Sequence, residues 1–333
     1  MHAAAPRRTG QCSIRPVATE APLLALTGGT GFLGLHLAPA LASAGFRLRL
    51  LSRREVAHPA LDGLDFETVH GALEEEAALA ALVRGADVVV HAAGLIKARN
   101  RAEFLRGNRD GTAALARAAR LHAPGARFIF ISSLAARAPG LSPYAFSKRA
   151  AEEAARAAYA EAPEQLALIR PPAVYGPWDR ESLAMFKAAQ GWVAPVLGDS
   201  KVAVIHADDA AGAIAAVAGA GFRPGCFALA DAQAQGYTLR FVAMQAGAAM
   251  GGAPRLVKLP AALVLAAGAL SGAAGRLRAA PPIFTLGKAR EILHPDWSVP
   301  VQELLPREIY APRIGLAEGF AQTAAWYRQA GWV

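Results

Sequence analysis

With 333 residues, 54% of them hydrophobic, and only two cysteines, Cys12 and Cys226, the chain can build a large core; this excludes a mostly disordered protein and a disulfide or cysteine-metal scaffold. The cysteine usage fits a reducing compartment such as the cytoplasm. A formal charge of +9 suits nucleic acid, an anionic membrane surface or an anionic cofactor, but Arg and Lys are dispersed and not grouped with aromatics, which argues against nucleic acid.

In chain order, residues 1–20 hold Arg7, Arg8 and Arg15 ahead of the first acid, Glu20, with no apolar run of signal-peptide length. They read as a flexible leader. The Ala/Arg-rich composition that continues through the chain explains them more simply than an organellar address. From residue 23, apolar runs at Leu23 to Thr27, Arg47 to Ser52, Phe66 to His70, Asp87 to His91, Arg127 to Ser132 and Leu166 to Arg170 predict six strands. Between them, helices are expected around 33–44, 74–84, 102–122 and 144–161, each long enough for a right-handed crossover. The fold class is therefore α/β: a Rossmann-type, doubly wound parallel sheet with a smaller, partly interleaved C-terminal lobe for substrate. Residues 21–175 would form mainly the Rossmann domain and 176–333 mainly the second lobe.

After Pro171-Pro172 the sequence turns to Gly, Pro and aromatic punctuation, with Tyr175-Gly176-Pro177-Trp178 marking a turn out of the sheet. Strands are expected at Val202 to His206 and Cys226 to Leu229, either returning to the main sheet or forming a small one. Asp208 or Asp209 is expected to cap the helix that follows His206; a metal site at His206-Ala207-Asp208-Asp209 is not expected. The run Leu259 to Gly275 carries no charge and is flanked by Arg255, Lys258, Arg276 and Arg278. Seventeen residues rich in Gly and Ala are short for a spanning helix. Its first reading is a helix buried in the second lobe; its second, contact with a bilayer surface or a lipid-like substrate through 255–278. His294-Pro295-Asp296-Trp297 reads as a packed turn whose Trp297 could border the substrate, and a final amphipathic helix is expected from about Leu316 to Trp332.

The chemistry-bearing residues lie at strand ends. Gly28, Gly31 and Gly34, within Thr27-Gly28-Gly29-Thr30-Gly31-Phe32-Leu33-Gly34, follow a strand and open a helix. Absent side chains let a pyrophosphate approach the backbone, and the helix N-terminus offers free N–H groups to its charge. Thr30, Phe32 and Leu33 share that cradle. After the second strand, Leu51-Ser52-Arg53-Arg54 has a hydroxyl and two guanidiniums where an acid would select NAD(H). NADP(H) is therefore favoured, with Arg53 or Arg54 as phosphate clamp, and NAD(H) stays open. Ser133 ends a strand, Tyr144 opens a helix eleven residues later, and Lys148 lies one turn beyond Tyr144 on the same face. A phenol of pKa about 10 is a poor acid or base at neutral pH, and the Lys148 ammonium is expected to lower it. In reduction, Tyr144 would give a proton to a carbonyl oxygen that Ser133 hydrogen-bonds.

With these motifs together, residues 22–235 resemble the extended short-chain dehydrogenase/reductase family. The further marks are His91-Ala92-Ala93-Gly94, Asn108 within Asn-Arg-Asp-Gly-Thr, and Arg170-Pro171-Pro172-Ala173-Val174-Tyr175-Gly176-Pro177. The resemblance implies that Ala92, Ala93 and Gly94 line the cofactor, that Asn108 supports a helix bend, and that Lys148 holds the nicotinamide ribose. It also implies that Pro171 to Val174 reach the nicotinamide end and that His91 is structural. Ile96, Tyr175 and Trp178, with Ser133, are the candidate substrate contacts. Where the family usually has an Asp touching adenine, this chain has Gly71-Ala72-Leu73, so that contact is expected to be weakened or to pass to backbone.

The apolar second lobe lacks the polar density of a nucleotide-sugar pocket and is similar to members acting on 3-oxo lipids, sterols or flavonoids, and to the respiratory complex I subunit relative. The expected activity is NADP(H)-dependent interconversion of a ketone and a secondary alcohol on a hydrophobic molecule, such as a 3-oxo sphingolipid, ceramide or sterol. Two alternatives stand: a nucleotide-sugar epimerase or dehydratase, and a non-catalytic NADPH-binding subunit. Against a dehydratase, Leu134-Ala135-Ala136 supplies no added acid/base pair after the Ser. Family members often dimerise through paired helices, so a homodimer is an expectation of the resemblance alone.

Overall fold

The structure, a computed structural model, describes residues 21–275, 282 and 284–333; the leader, Cys12, Arg276 and Arg278 lie outside the described residues. Strand β1 (Leu23–Thr27) feeds helix α1 (Phe32–Ser43), and β2 (Arg47–Ser52), β3 (Phe66–His70), α2 (Glu76–Val83) and β4 (Val88–His91) follow. Next come α3 (Arg101–Phe104), a wider π-helical stretch at Leu105–Asp110 and α4 (Gly111–His122), which follow one another without a break, then β5 (Arg127–Ile131). Helix α5 (Pro143–Ala158) and β6 (Leu166–Arg170) complete the alternation. All six expected strands form.

The sheet has seven parallel strands, ordered β3-β2-β1-β4-β5-β6 and ending in a later strand described below. Parallel strands covered on both faces should read as near-continuous apolar runs, and β1 and β4 are buried at every position. Because β1 is flanked by β2 on one side and β4 on the other, the chain switches direction there. The carboxyl ends of β1 and β4 meet at this switch point, the place where such folds take ligands.

Beyond β6, β7 (Ala173–Tyr175), α6 (Leu183–Ala189), β8 (Val193–Val196), β9 (Lys201–Val202), β10 (Val204–His206), α7 (Ala207–Ala218) and β11 (Gly225–Ala228) follow. Then come β12 (Tyr237–Thr238), α8 (Leu239–Ala249), β13 (Arg255–Lys258), α9 (Ala261–Gly275), α10 (Leu286–Leu293), β14 (Asp296–Trp297) and α11 (Leu316–Gln329). Strand β11 returns to the main sheet beside β6. The 202–206 segment does not. It divides around Ala203, whose N–H bonds the Trp297 carbonyl: β9 pairs with β12 and β14, and β10 pairs with β7. The lobe's own core gathers Tyr175, Phe186, Val204, Val242, Phe320 and Tyr327.

Two expectations fail here. Helix α7 is capped by neither Asp208 nor Asp209; the His206 ring nitrogen accepts the Asp208 N–H at 3.3 Å. Asp208 instead pairs with His36 at 2.6 Å, and Asp209 accepts the Arg313 and Ile314 N–H groups and the Tyr310 hydroxyl. Likewise α9 is not buried. Only Val264, Gly268 and Gly275 are buried, and the approach to the start of α10 is closest at a glycine: a Cβ on Gly268 would sit 2.8 Å from the Thr285 carbonyl oxygen. A helix apolar all round gives no periodicity from which to read its orientation.

Candidate active site

The turn after β1 is shaped by what its glycines exclude. Gly28 adopts φ +77°, and a Cβ there would lie 2.5 Å from the Ala93 nitrogen, so the turn presses on the loop after β4. A Cβ on Gly34 would overlap the Gly28 carbonyl, so that glycine seats α1 on the sheet. Gly31 differs. It is exposed, its Cβ position meets only the Gly28 oxygen at 3.3 Å, and the N-terminus of α1 that it begins has no side-chain cap. Open space, uncapped N–H groups and the positive end of a helix suit a pyrophosphate. Exposed Thr30 and half-buried Phe32 and Leu33 rim the turn.

At the second strand end, Ser52 uses its hydroxyl in its own turn, donating to the Arg54 carbonyl at 2.7 Å, and leaves Arg53 and Arg54 exposed side by side. At the third strand end, Gly71 presses on Ala78 and Leu73 fills the space above Gly111.

Buried His91 locks the floor. Thr112 donates its hydroxyl to the Asn108 carbonyl at 2.6 Å, so its oxygen can only accept from His91 Nε2–H at 3.0 Å. His91 Nδ1 then accepts the Thr27 hydroxyl at 2.7 Å, and Thr27 in turn accepts the Ala93 N–H at 3.3 Å. Burial, then the Lys148 charge, pushes the imidazole down to about 3, which keeps it in that neutral form. Asn108, in the π-helical stretch, clamps Leu95 by both backbone groups, at 2.7 and 3.0 Å, and donates to the Ser147 hydroxyl at 2.8 Å. The widened turn therefore ties the loop after β4 to α5.

Ser142 caps α5, accepting the Ala145 N–H at 2.9 Å, and so fixes the helix start that carries Tyr144. The Ser133 hydroxyl lies close enough to the Tyr144 phenol to favour its ionised form. Ser133 also accepts the Ala135 N–H at 3.2 Å, and Leu134 N–H reaches the buried Pro171 carbonyl at 2.8 Å, which sets the β6 exit beside it. Buried Lys148 donates to the Ile131 carbonyl at 2.7 Å, lies over the Phe130 ring at 4.7 Å, and would meet a Gly94 Cβ at 3.6 Å.

The expected lowering of Tyr144 by Lys148 is not what the structure holds. Burial dominates and pushes the phenol up to about 12, opposed by the Ser133 hydroxyl and assisted by the Glu291 charge. Burial also lowers Lys148 to about 8, with Glu152 pulling the other way. At neutral pH Tyr144 is therefore a phenol holding its proton, beside a largely charged Lys148.

A sequence model of the NAD dependent epimerase/dehydratase family matches residues 24–229. The chain belongs to that family. Its extended short-chain dehydrogenase/reductase motifs, read above, are those of this fold. It is 48% identical over 323 residues, 95% of this chain and 98% of the relative, to the "Ceramide reductase" of Caulobacter vibrioides (strain NA1000 / CB15N). Among solved structures it is similar in fold to gox2253, with a TM-score of 0.74 at 22% identity, covering 93% of this chain and 99% of that one. MoeE5 in complex with UDP-glucuronic acid and NAD has a TM-score of 0.69 at 21% identity and covers 93% and 99%.

The epimerase/dehydratase frame brings Ser133, Tyr144 and Lys148 together at one sheet edge, with the glycine turn, Ala92 to Gly94 and Pro171 beside them. Val174 lies half-buried against the core that holds Ile169 and Ile205. The substrate candidates divide. Ile96 is 55% exposed, next to exposed Leu95, and Phe104 packs on Tyr144 with ring centroids 6.0 Å apart. Tyr175, by contrast, is core: it packs on Phe320 at 4.9 Å and against Gly319, because β7 turns it into the second lobe. Trp178, at φ +70°, packs edge-on against His58 and tilted against Trp326, both at 4.5 Å, and so joins the loop after β2 to α11. Trp297 is anchored by its indole N–H to the Glu291 carbonyl at 2.7 Å.

Sequence reasoning missed the residues that hold α5 in place. Glu152, fully buried, takes a bidentate Arg170 at 2.8 and 2.6 Å and the Ser132 hydroxyl at 2.6 Å. Its signal was legible: four residues after Lys148, on the face otherwise formed by Ala145, Ala151 and Ala155. Glu291 bonds Ser142 and pairs with Lys288 at 3.1 Å. Nothing local announces a contact across 149 residues.

Proposed function

We propose that the chain is an NADP(H)-dependent reductase that converts a ketone on a hydrophobic, lipid-like molecule to the secondary alcohol, a 3-oxo ceramide-type ketone being the leading substrate. The observation that carries the reaction is Tyr144: beside Ser133 and pushed up to about 12, it keeps its proton at neutral pH and can give it to an oxygen that becomes an alkoxide. The lipid class is supported by the 48% identity to a ceramide reductase along nearly the whole chain, by Phe104 packed on the phenol, and by the exposed apolar pair Leu95 and Ile96 on the loop after β4.

A bound nicotinamide dinucleotide would supply hydride to the carbonyl carbon. Gly31, Thr30 and the open N-terminus of α1 would hold its pyrophosphate; Ala92, Ala93 and Gly94, with Asn108 behind them, would line it. Arg53 and Arg54 would pair with a 2′-phosphate, which is the basis for preferring NADP(H) over NAD(H). Ser133 donates to the substrate oxygen and orients it. Tyr144 hands over the proton, Ser133 favours the phenolate left behind, and Lys148, largely charged at neutral pH, would hold the nicotinamide ribose.

The test is NADPH oxidation by purified protein with detergent-dispersed long-chain 3-oxo lipids and sterol ketones, with nucleotide sugars and NADH alongside. The proposal expects net NADPH loss with a lipid ketone and a slower rate with NADH. Conversion of a nucleotide sugar without net NADPH loss would replace it by an epimerase, and tight NADPH binding without any turnover by a non-catalytic subunit.

A further inference from the structure

Helix α9 inverts the usual rule for a surface helix. Its outer face is Ala261, Ala262, Leu263, Ala266, Ala267, Ala269, Leu270, Ala273 and Ala274, all exposed, with Leu263 58% and Leu270 71% accessible and no polar side chain among them. The strand pair leading into it is similar: Trp192 is 95% accessible, Val193 and Val257 are exposed, and the Trp192 carbonyl accepts the Arg255 N–H at 2.8 Å. Large apolar side chains exposed in such number on neighbouring stretches of chain mark an interaction site.

The charge around it says what the partner is. From residue 232 to 290 the chain has seven Arg and Lys and no Asp or Glu. Arg240, Arg255, Lys288 and Arg290 of these are exposed, and Arg276 and Arg278 follow directly on α9 in sequence. Apolar side chains on a segment whose only charges are cations fit the headgroup boundary of an anionic bilayer, where leucine enters the acyl layer, tryptophan sits at its edge and Arg and Lys meet phosphate. At fifteen residues, about 22 Å long, α9 is too short to span, and no helix among the described residues is long and apolar enough to cross a membrane.

We propose that α9, with the β8–β13 edge, is a peripheral docking face for an anionic lipid surface. Its position gives this a use. Helix α9 lies on α10, and α10 touches the start of α5: a Cβ on Gly287 would sit 2.8 Å from the Ser142 Cβ, two residues before Tyr144. One helix therefore separates the lipid-facing surface from the catalytic helix, so a substrate drawn from the bilayer would have a short route to the phenol.

The test is co-sedimentation of the full chain with vesicles of phosphatidylcholine, or of equal parts phosphatidylcholine and phosphatidylglycerol, without substrate, so its result is independent of the reductase reading. Binding to the anionic vesicles is expected, weakened by salt. The double variant L263E/L270E should lower it about tenfold or more, and R255Q about fivefold, with thermal unfolding and NADPH binding unchanged. Equal sedimentation of the double variant and the parent, or no binding to either vesicle, overturns the proposal. So does light scattering that shows a dimer dissociated by L263E/L270E without vesicle binding, which would assign the face to a second copy.

Discussion

Helices α5 and α9 both break the rule that apolar side chains go in and charges go out, in opposite directions. Helix α5 buries Lys148 and Glu152, whereas α9 exposes Leu263 and Leu270. In α5 the anomaly is compensated on the spot: Glu152 is met by Arg170 and Ser132, and Lys148 by the Ile131 carbonyl. Nothing among the described residues covers the outer face of α9. Buried charge fully partnered inside one chain marks a site built to hold its own proton chemistry. Apolar surface without an internal partner marks one that waits for something outside.

The largest test of the α5 side is Tyr144→Phe, which should cut ketone reduction about 10³-fold while NADPH affinity, measured by fluorescence quenching, changes less than about twofold. Unchanged turnover would remove Tyr144 as the proton donor. Next, Glu152→Gln leaves the mostly buried Arg170 guanidinium without its charge partner and should cost about 3 kcal/mol in denaturant unfolding. A loss near zero would mean that the pair does not hold α5 in place.

The pH profile sharpens the same comparison. Lys148 is lowered to about 8 and Tyr144 raised to about 12, so the first group to lose a proton on raising the pH is Lys148. Reduction should hold level below pH 8 and then fall, approaching tenfold per unit as the ammonium is lost. Because the Glu152 charge supports that ammonium, residual activity of Glu152→Gln should break at lower pH. Acid stability tests the floor of the site. His91 is near 3 when folded against 6.5 for the free side chain, so the unfolded state binds its proton first, and stability should decline as pH falls below about 6.5. His91→Gln should flatten that decline. The smallest effect belongs to α9: L263E/L270E should move folding stability by less than about 0.5 kcal/mol, since both side chains already face solvent.

How much of this was legible follows from whether the signal was local. Strands β1 to β6 stood out as apolar runs between helical stretches, and the glycine turn, Ser133, Tyr144 and Lys148 by spacing at strand and helix ends. Tyr175 sits within a motif beside the site, yet the strand that carries it turns the ring into the second lobe; only the pairing of β7 with β10 decides that. Asp208 looked like a helix cap until His36, 172 residues away, claimed it. The direction of the Tyr144 shift was misread because the sequence displays the nearby ammonium and does not display the burial that outweighs it.

The central claim is hydride reduction of a lipid ketone with Tyr144 as proton donor, and the most direct measurement follows the hydrogen itself. Protein mixed with a long-chain 3-oxo ceramide and NADPH carrying deuterium at the transferable position should yield a 3-hydroxy product one mass unit heavier, bearing the label on carbon 3, with one NADP⁺ formed per alcohol; the Tyr144→Phe protein should yield almost none. Unlabelled product, or lipid recovered unchanged while labelled NADPH stays bound, would contradict the account.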